Sequence, residues 1–100
     1  MADFDYSRAN KRWRKLRQLA LRRDKYRCRE AARYGKLADA DVVHHIWPAE
    51  DYPEYAYCLW NLLSLSVSAH DEMHDRITKA LTAKGQAWKN RTPPPSEFDI

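Results

Sequence analysis

The chain has 100 residues, room for one small domain. At 44% hydrophobic and 12% aromatic residues it is too apolar to be a disordered chain, and no apolar run reaches the ~20 residues of a membrane span. The net charge is +4, but residues 1–36 hold 13 Lys/Arg against 4 Asp/Glu, a balance of +9, while the remainder holds 5 against 10, a balance of −5.

A basic segment on a less basic body suits a polyanion, most simply nucleic acid, or is a solvated cationic helix face. The N-terminus carries no apolar h-region, so no signal peptide is expected. Two cysteines, Cys28 and Cys58, do not make a secreted disulfide framework. Free thiols inside a cell are the expectation, with a Cys28–Cys58 bridge as the alternative.

Met1 to Tyr6 reads as a frayed lead-in, and Ser7 as the cap of a basic helix over residues 7–24. Its apolar stripe is Ala9, Trp13, Leu16, Leu19 and Ala20, at helical spacing. The other faces carry cations suited to phosphate contact, Arg12, Lys15, Arg22 and Arg23 among them. Residues 25–40 read as turn, with Gly35 as a breaker. Val42 to Ile46 is a short strand closed by Trp47-Pro48. Residues 49–58 form a loop packed by aromatic rings, and 62–66 form the second strand of a hairpin. Ser68, with Ser66 as rival, caps a helix to about Ala83 that stops at Gly85. Residues 86–100 are a proline-rich tail.

All four histidines fall between Asp41 and Asp75. His44 and His45 are adjacent on the first strand. His70 and His74 are spaced i, i+4, which on a helix shares one face. Imidazoles from strand and helix together suit a transition-metal site. Neighbours on a strand point to opposite faces, so His44 and His45 are expected to do two jobs, one on a metal and one off it. An unligated neutral imidazole takes a proton from water, and a metal stabilises a departing alkoxide. Phosphodiester hydrolysis is the reaction this pairing suits.

With Asn61 between the histidine pairs, the pattern His44-His45-Ile46, Pro48, Asn61-Leu62, His70, His74 resembles the HNH endonuclease family, over roughly residues 13–91. The resemblance is to small stand-alone phage and bacterial members. It implies an α+β chain: a ββα-metal core over residues 41–85, with the basic helix packed on it. It implies one divalent ion (Mg, Mn, Ni or Zn) on His44, His70 and His74, His74 alternatively touching the scissile phosphate. It implies His45 as general base, Asn61 bracing the loop and orienting His45, and DNA phosphates reached by the basic helix, Arg76 and Lys79. The implied partner is double-stranded DNA, in the cytoplasm of a bacterial or phage-infected cell, with a phage terminase as a further partner. A monomer of low sequence specificity is expected, nicking or cutting both strands.

Many relatives carry a structural zinc on two Cys-x-x-Cys pairs. Here those positions read Cys28, Ala31, Ser66 and Ala69. One thiolate cannot hold zinc tetrahedrally, so no structural zinc is expected, and either apolar packing takes its place or the fold is looser. The competing functions are a DNA-binding accessory protein with a weakened nuclease centre and a metal-stapled domain that binds another protein.

Overall fold

The computed structural model describes residues 4–95. Asn10, not Ser7, starts the first helix, α1 (Lys11–Arg23): its side chain accepts from the Trp13 N–H at 3.1 Å. Ser7 lies in a turn, its N–H donating to Asp5. The buried positions of α1 are Trp13, Ala20 and Leu21, while Leu19 is exposed. Leu21 lies next to Ala20 on the covered side, and Leu19 falls outside that arc.

Strands β1 (Val42–His45) and β2 (Leu62–Leu65) pair antiparallel, Val42 opposite Leu65 and His45 opposite Leu62. Side chains alternate between the two faces, and both faces are covered, so β2 is buried throughout. Val43 and Leu62 face α1 and pack with Trp13, Ala20, Leu21 and Ala40. On the same face the Ser64 hydroxyl donates to the Ala20 carbonyl at 3.3 Å. Leu63 and Leu65 enter a second core with Cys28, Ile46, Ala69, Met73 and Trp88.

A polar latch joins the end of α1 to β2. Two Arg23 N–H groups donate to Asp24 at 2.9 Å each, and others reach the Leu59 and Leu62 carbonyls. The Ser64 N–H also donates to Asp24. Burial alone would raise the Asp24 pKa, but the bonds from Arg23 and Ser64 and the charges of Arg23 and Arg29 outweigh it and lower the value. A carboxyl with a depressed folded pKa lends stability that is complete above its unfolded value, about 3.9, and is lost as pH falls through the folded one. Asp24→Asn is expected to lower Tm at pH 7, the gap to the parent closing in acid. Thermal melts across pH check this.

Residues 25–40 are not all turn, since a second helix, α2 (Arg29–Arg33), lies within them. Ser66 is the cap of α3, accepting from the Ala69 N–H at 3.2 Å. This helix spans only Val67–Asp71, well short of the expected end near Ala83. From Asp75 to Ala80 every residue is exposed, Ile77 at 91%. Asp75 instead caps a turn by accepting from the Ile77 and Thr78 N–H groups, and Lys79 takes a left-handed φ of 65°. The chain returns so that His74 bridges Leu81.

A further helix, α4 (Ala83–Arg91), then starts at Thr82, whose hydroxyl accepts from the Gly85 N–H. Gly85 is therefore inside a helix rather than ending one. A Cβ there would lie 2.5 Å from the Met73 carbonyl, so only glycine lets α4 come this close. The helix places Trp88 over the second core, its indole N–H donating to buried Glu30 at 2.6 Å. The expected tail thus begins at Thr92 rather than at 86, and residues 96–100 lie outside the described residues. Of the four positions Cys28, Ala31, Ser66 and Ala69, Cys28 and Ala69 are core residues with Ala31 packed on them, and Ser66 caps α3. The Cys28 thiol is pushed up by burial but more strongly down by bonds from Ser66, Ala31 and Glu30, and its pKa is lowered on balance. Among the described residues no helix is long and apolar enough to cross a membrane.

Candidate metal centre and active site

The alternation of β1 divides its two histidines. His44 lies on the side of α3, its ring centroid 5.5 Å from that of His70 and 5.2 Å from that of His74. His70 and His74 are 5.9 Å apart. One ring nitrogen from each of the three lies within 4.8 Å of the others. The three meet although α3 ends before His74, because the turn at 75–80 folds that residue back. His74 Nδ1 lies 3.1 Å from the Lys79 carbonyl. A carbonyl only accepts, so Nδ1 carries the proton and Nε2 keeps a free lone pair.

His44 is 2% exposed, and its Nε2 is buried without a hydrogen-bond partner. An orphaned buried nitrogen is costly unless something binds it. Burial holds the His44 pKa well below the ordinary imidazole value, with the His74 and His70 charges adding to the effect. Burial and His74 also lower His70, against Asp71. Neutral imidazoles are the ligating form, so three imidazoles and one orphan nitrogen fit a divalent transition-metal ion.

His45 points to the other face of the sheet and is 4% exposed. Its ring stacks on Trp13 at 5.0 Å, and Phe4 meets it edge-on at 5.1 Å. Nε2 lies 2.9 Å from the Ala56 carbonyl and therefore donates to it. Nδ1 lies 2.9 Å from the Tyr6 hydroxyl and is left as the accepting atom. Burial lowers the His45 pKa, with the Ala56 bond and the charge of Glu50 acting against it. The ring is thus a neutral base with one basic nitrogen in a known position.

Asn61 is fully buried and braces the loop after β1: it accepts from the Trp47 N–H at 2.7 Å and donates to the Trp47 and Tyr55 carbonyls. None of these bonds goes to His45. Asn61 bears on that ring only through the loop that carries Ala56. The cations divide as well. Lys15 and Arg22 are exposed on α1, and Arg76 and Lys79 on the 75–80 turn. The Arg12 guanidinium lies 4.1 Å over the Tyr57 ring. Arg23 departs from the sequence expectation, because its guanidinium is engaged by Asp24 and two carbonyls of the β2 approach.

No protein-family model and no curated protein matches the chain. A crystal structure of the HNH endonuclease of the deep-sea thermophilic bacteriophage GVE2, with a manganese ion, does match. The TM-score is 0.60 and the identity 29%, covering 66% of this chain and 68% of the other. The chain is similar in sequence and in fold to this HNH endonuclease. Its α+β architecture, a two-stranded antiparallel sheet with helices, is the HNH ββα fold.

Sequence reasoning missed one part of this site. Phe4 and Tyr6 are not frayed: Phe4 packs on Tyr6, Trp13, His45 and Tyr57. Two aromatic rings in a six-residue lead-in were the available signal. Trp13, assigned only to the apolar stripe of α1, is also the platform under His45.

Proposed function

We propose that this protein is a metal-dependent HNH endonuclease that hydrolyses DNA phosphodiester bonds, using one divalent ion. The observation that carries the reading is the division of labour across β1. Three imidazoles converge on one face, and a separate neutral imidazole with a single accepting nitrogen lies on the other. His44, His70 and His74 hold the ion. Bound there, it supplies charge stabilisation to the phosphate and to the leaving oxygen. His45 Nδ1 is the basic nitrogen that drives removal of a proton from the attacking water. The Ala56 carbonyl fixes the His45 tautomer, and its acceptance from Nε2–H stabilises the imidazolium that forms.

Exposed Lys15, Arg22, Arg76 and Lys79, together with Arg12, contact phosphates of double-stranded DNA. Phosphate contacts position without reading sequence, so specificity is low. The place of action is the cytoplasm of a bacterial or phage-infected cell. A supercoiled plasmid incubated with Mn²⁺, Mg²⁺, Ni²⁺ or Zn²⁺, with a chelator control, tests the reading. Conversion to nicked or linear DNA that stops on chelation is expected. Binding that weakens with salt, without any nicking, would favour an accessory DNA-binding role instead.

A further inference from the structure

We propose that Tyr6 is a proton relay: its hydroxyl connects the basic nitrogen of His45 to the cleft in which DNA is cut. This rests on the nuclease reading above. His45 is buried, at 4% exposure. Trp13 covers one face of the ring, Phe4 meets it edge-on, and the Ala56 carbonyl takes Nε2–H. The remaining nitrogen, Nδ1, is met at 2.9 Å by the Tyr6 hydroxyl.

Tyr6 itself is half exposed. It lines a cleft of about 1000 Å³ together with His74 of the imidazole triad and Lys79. His45 does not line that cleft. Tyr6 does, and so connects a buried base to the space beside His74.

A phenol hydroxyl is one donor and two acceptors. It donates to Nδ1 while accepting from a water in the cleft. In the transfer the water O–H breaks and a new Oη–H forms, while the old Oη–H breaks and Nδ1–H forms. Hydroxide is left at the phosphate, His45 becomes imidazolium, and Tyr6 ends as a neutral phenol facing the other way. Its new O–H points to the cleft, and its oxygen accepts from Nδ1–H. No phenolate is formed at any stage, and no co-reactant is needed.

Tyr6→Phe keeps the ring against Phe4 and Trp13 and puts carbon where the hydroxyl met Nδ1. It is expected to slow plasmid nicking by about 10²-fold, the lower edge of what general-base catalysis contributes. The metal-induced shift in Tm should stay at the parental value, while Tm itself falls modestly because His45 Nδ1 loses its partner. A proton inventory in H₂O/D₂O mixtures should be bowed for the parent, two protons moving together, and linear for Tyr6→Phe. In the metal-free protein the ¹⁵N resonance of His45 Nδ1 should move on the same substitution, a readout independent of activity. If Tyr6→Phe melts early, 3-fluorotyrosine placed at position 6 keeps the shape and changes the acidity, and the relay requires the nicking rate to change with it. Nicking by Tyr6→Phe at or above the parental rate overturns the relay and makes the hydroxyl a spectator or a plug. An inventory still bowed in the slow variant overturns it too. A parent that does not nick with any of the four metal ions sinks the nuclease reading itself, and the relay with it.

Discussion

Replacing His45 with alanine is expected to slow DNA nicking by about 10²–10⁴-fold, the usual worth of a positioned general base, while metal affinity stays at the parental value. The two effects separate because β1 sends His44 and His45 to opposite faces. His44 meets His70 and His74, and His45 meets Trp13 and Phe4. Removing the second ring opens a hole beside Trp13 and leaves the Ala56 carbonyl without its donor, so some loss of Tm accompanies the change. That loss does not account for the rate if the variant is assayed well below its melting point. Plasmid nicking and calorimetric Mn²⁺ titration on the same preparation give the two numbers. A variant that nicks at the parental rate removes the base from His45. A variant that loses metal affinity as well contradicts the separation of the faces.

The part of this site that sequence carried is the part set by strand periodicity. Adjacent residues on a strand diverge whatever surrounds them, so the opposite faces of His44 and His45 followed from adjacency. The i, i+4 spacing of His70 and His74 gave the right neighbours for the wrong reason. A continuous helix was expected, yet α3 ends at Asp71 and His74 is returned by a turn. Helical spacing is a local argument, and the turn is decided by groups outside it. Asp75 satisfies two N–H groups of its own loop, and the Lys79 carbonyl takes the His74 proton.

Gly85 shows the same limit from the other side. Glycine after a helical stretch reads as a stop because of its backbone freedom. Here its missing Cβ matters more, since α4 must pass against the Met73 carbonyl. That contact joins residues twelve apart and cannot be read from either segment alone. The lead-in was misjudged likewise. Phe4 and Tyr6 look unanchored in sequence, and only the tertiary placement of Trp13, His45 and Tyr57 gives them a pocket. Arg23 is the reverse error: charge suggested phosphate, and geometry gave it to Asp24 and two backbone carbonyls.

His44→Ala is expected to abolish metal binding and nicking together, yet to cost the metal-free protein little. His44 is the only triad member that comes from the sheet, and it is the one whose Nε2 is buried with no partner. Without it, His70 and His74 remain on a partly exposed rim and offer only two nitrogens. In the parent, metal at a hundredfold excess over Kd adds about 2.7 kcal/mol to stability, and in the variant this increment should vanish. In the metal-free state the two costs oppose each other. Removing the ring forfeits packing against its neighbours, and it also removes a buried unsatisfied nitrogen that carries a penalty of about 1–3 kcal/mol. A histidine kept for packing alone would show the opposite pattern: a lower metal-free Tm, with the metal increment retained. Thermal melts of both proteins, with and without Mn²⁺, therefore separate a ligand from a core residue without recourse to activity.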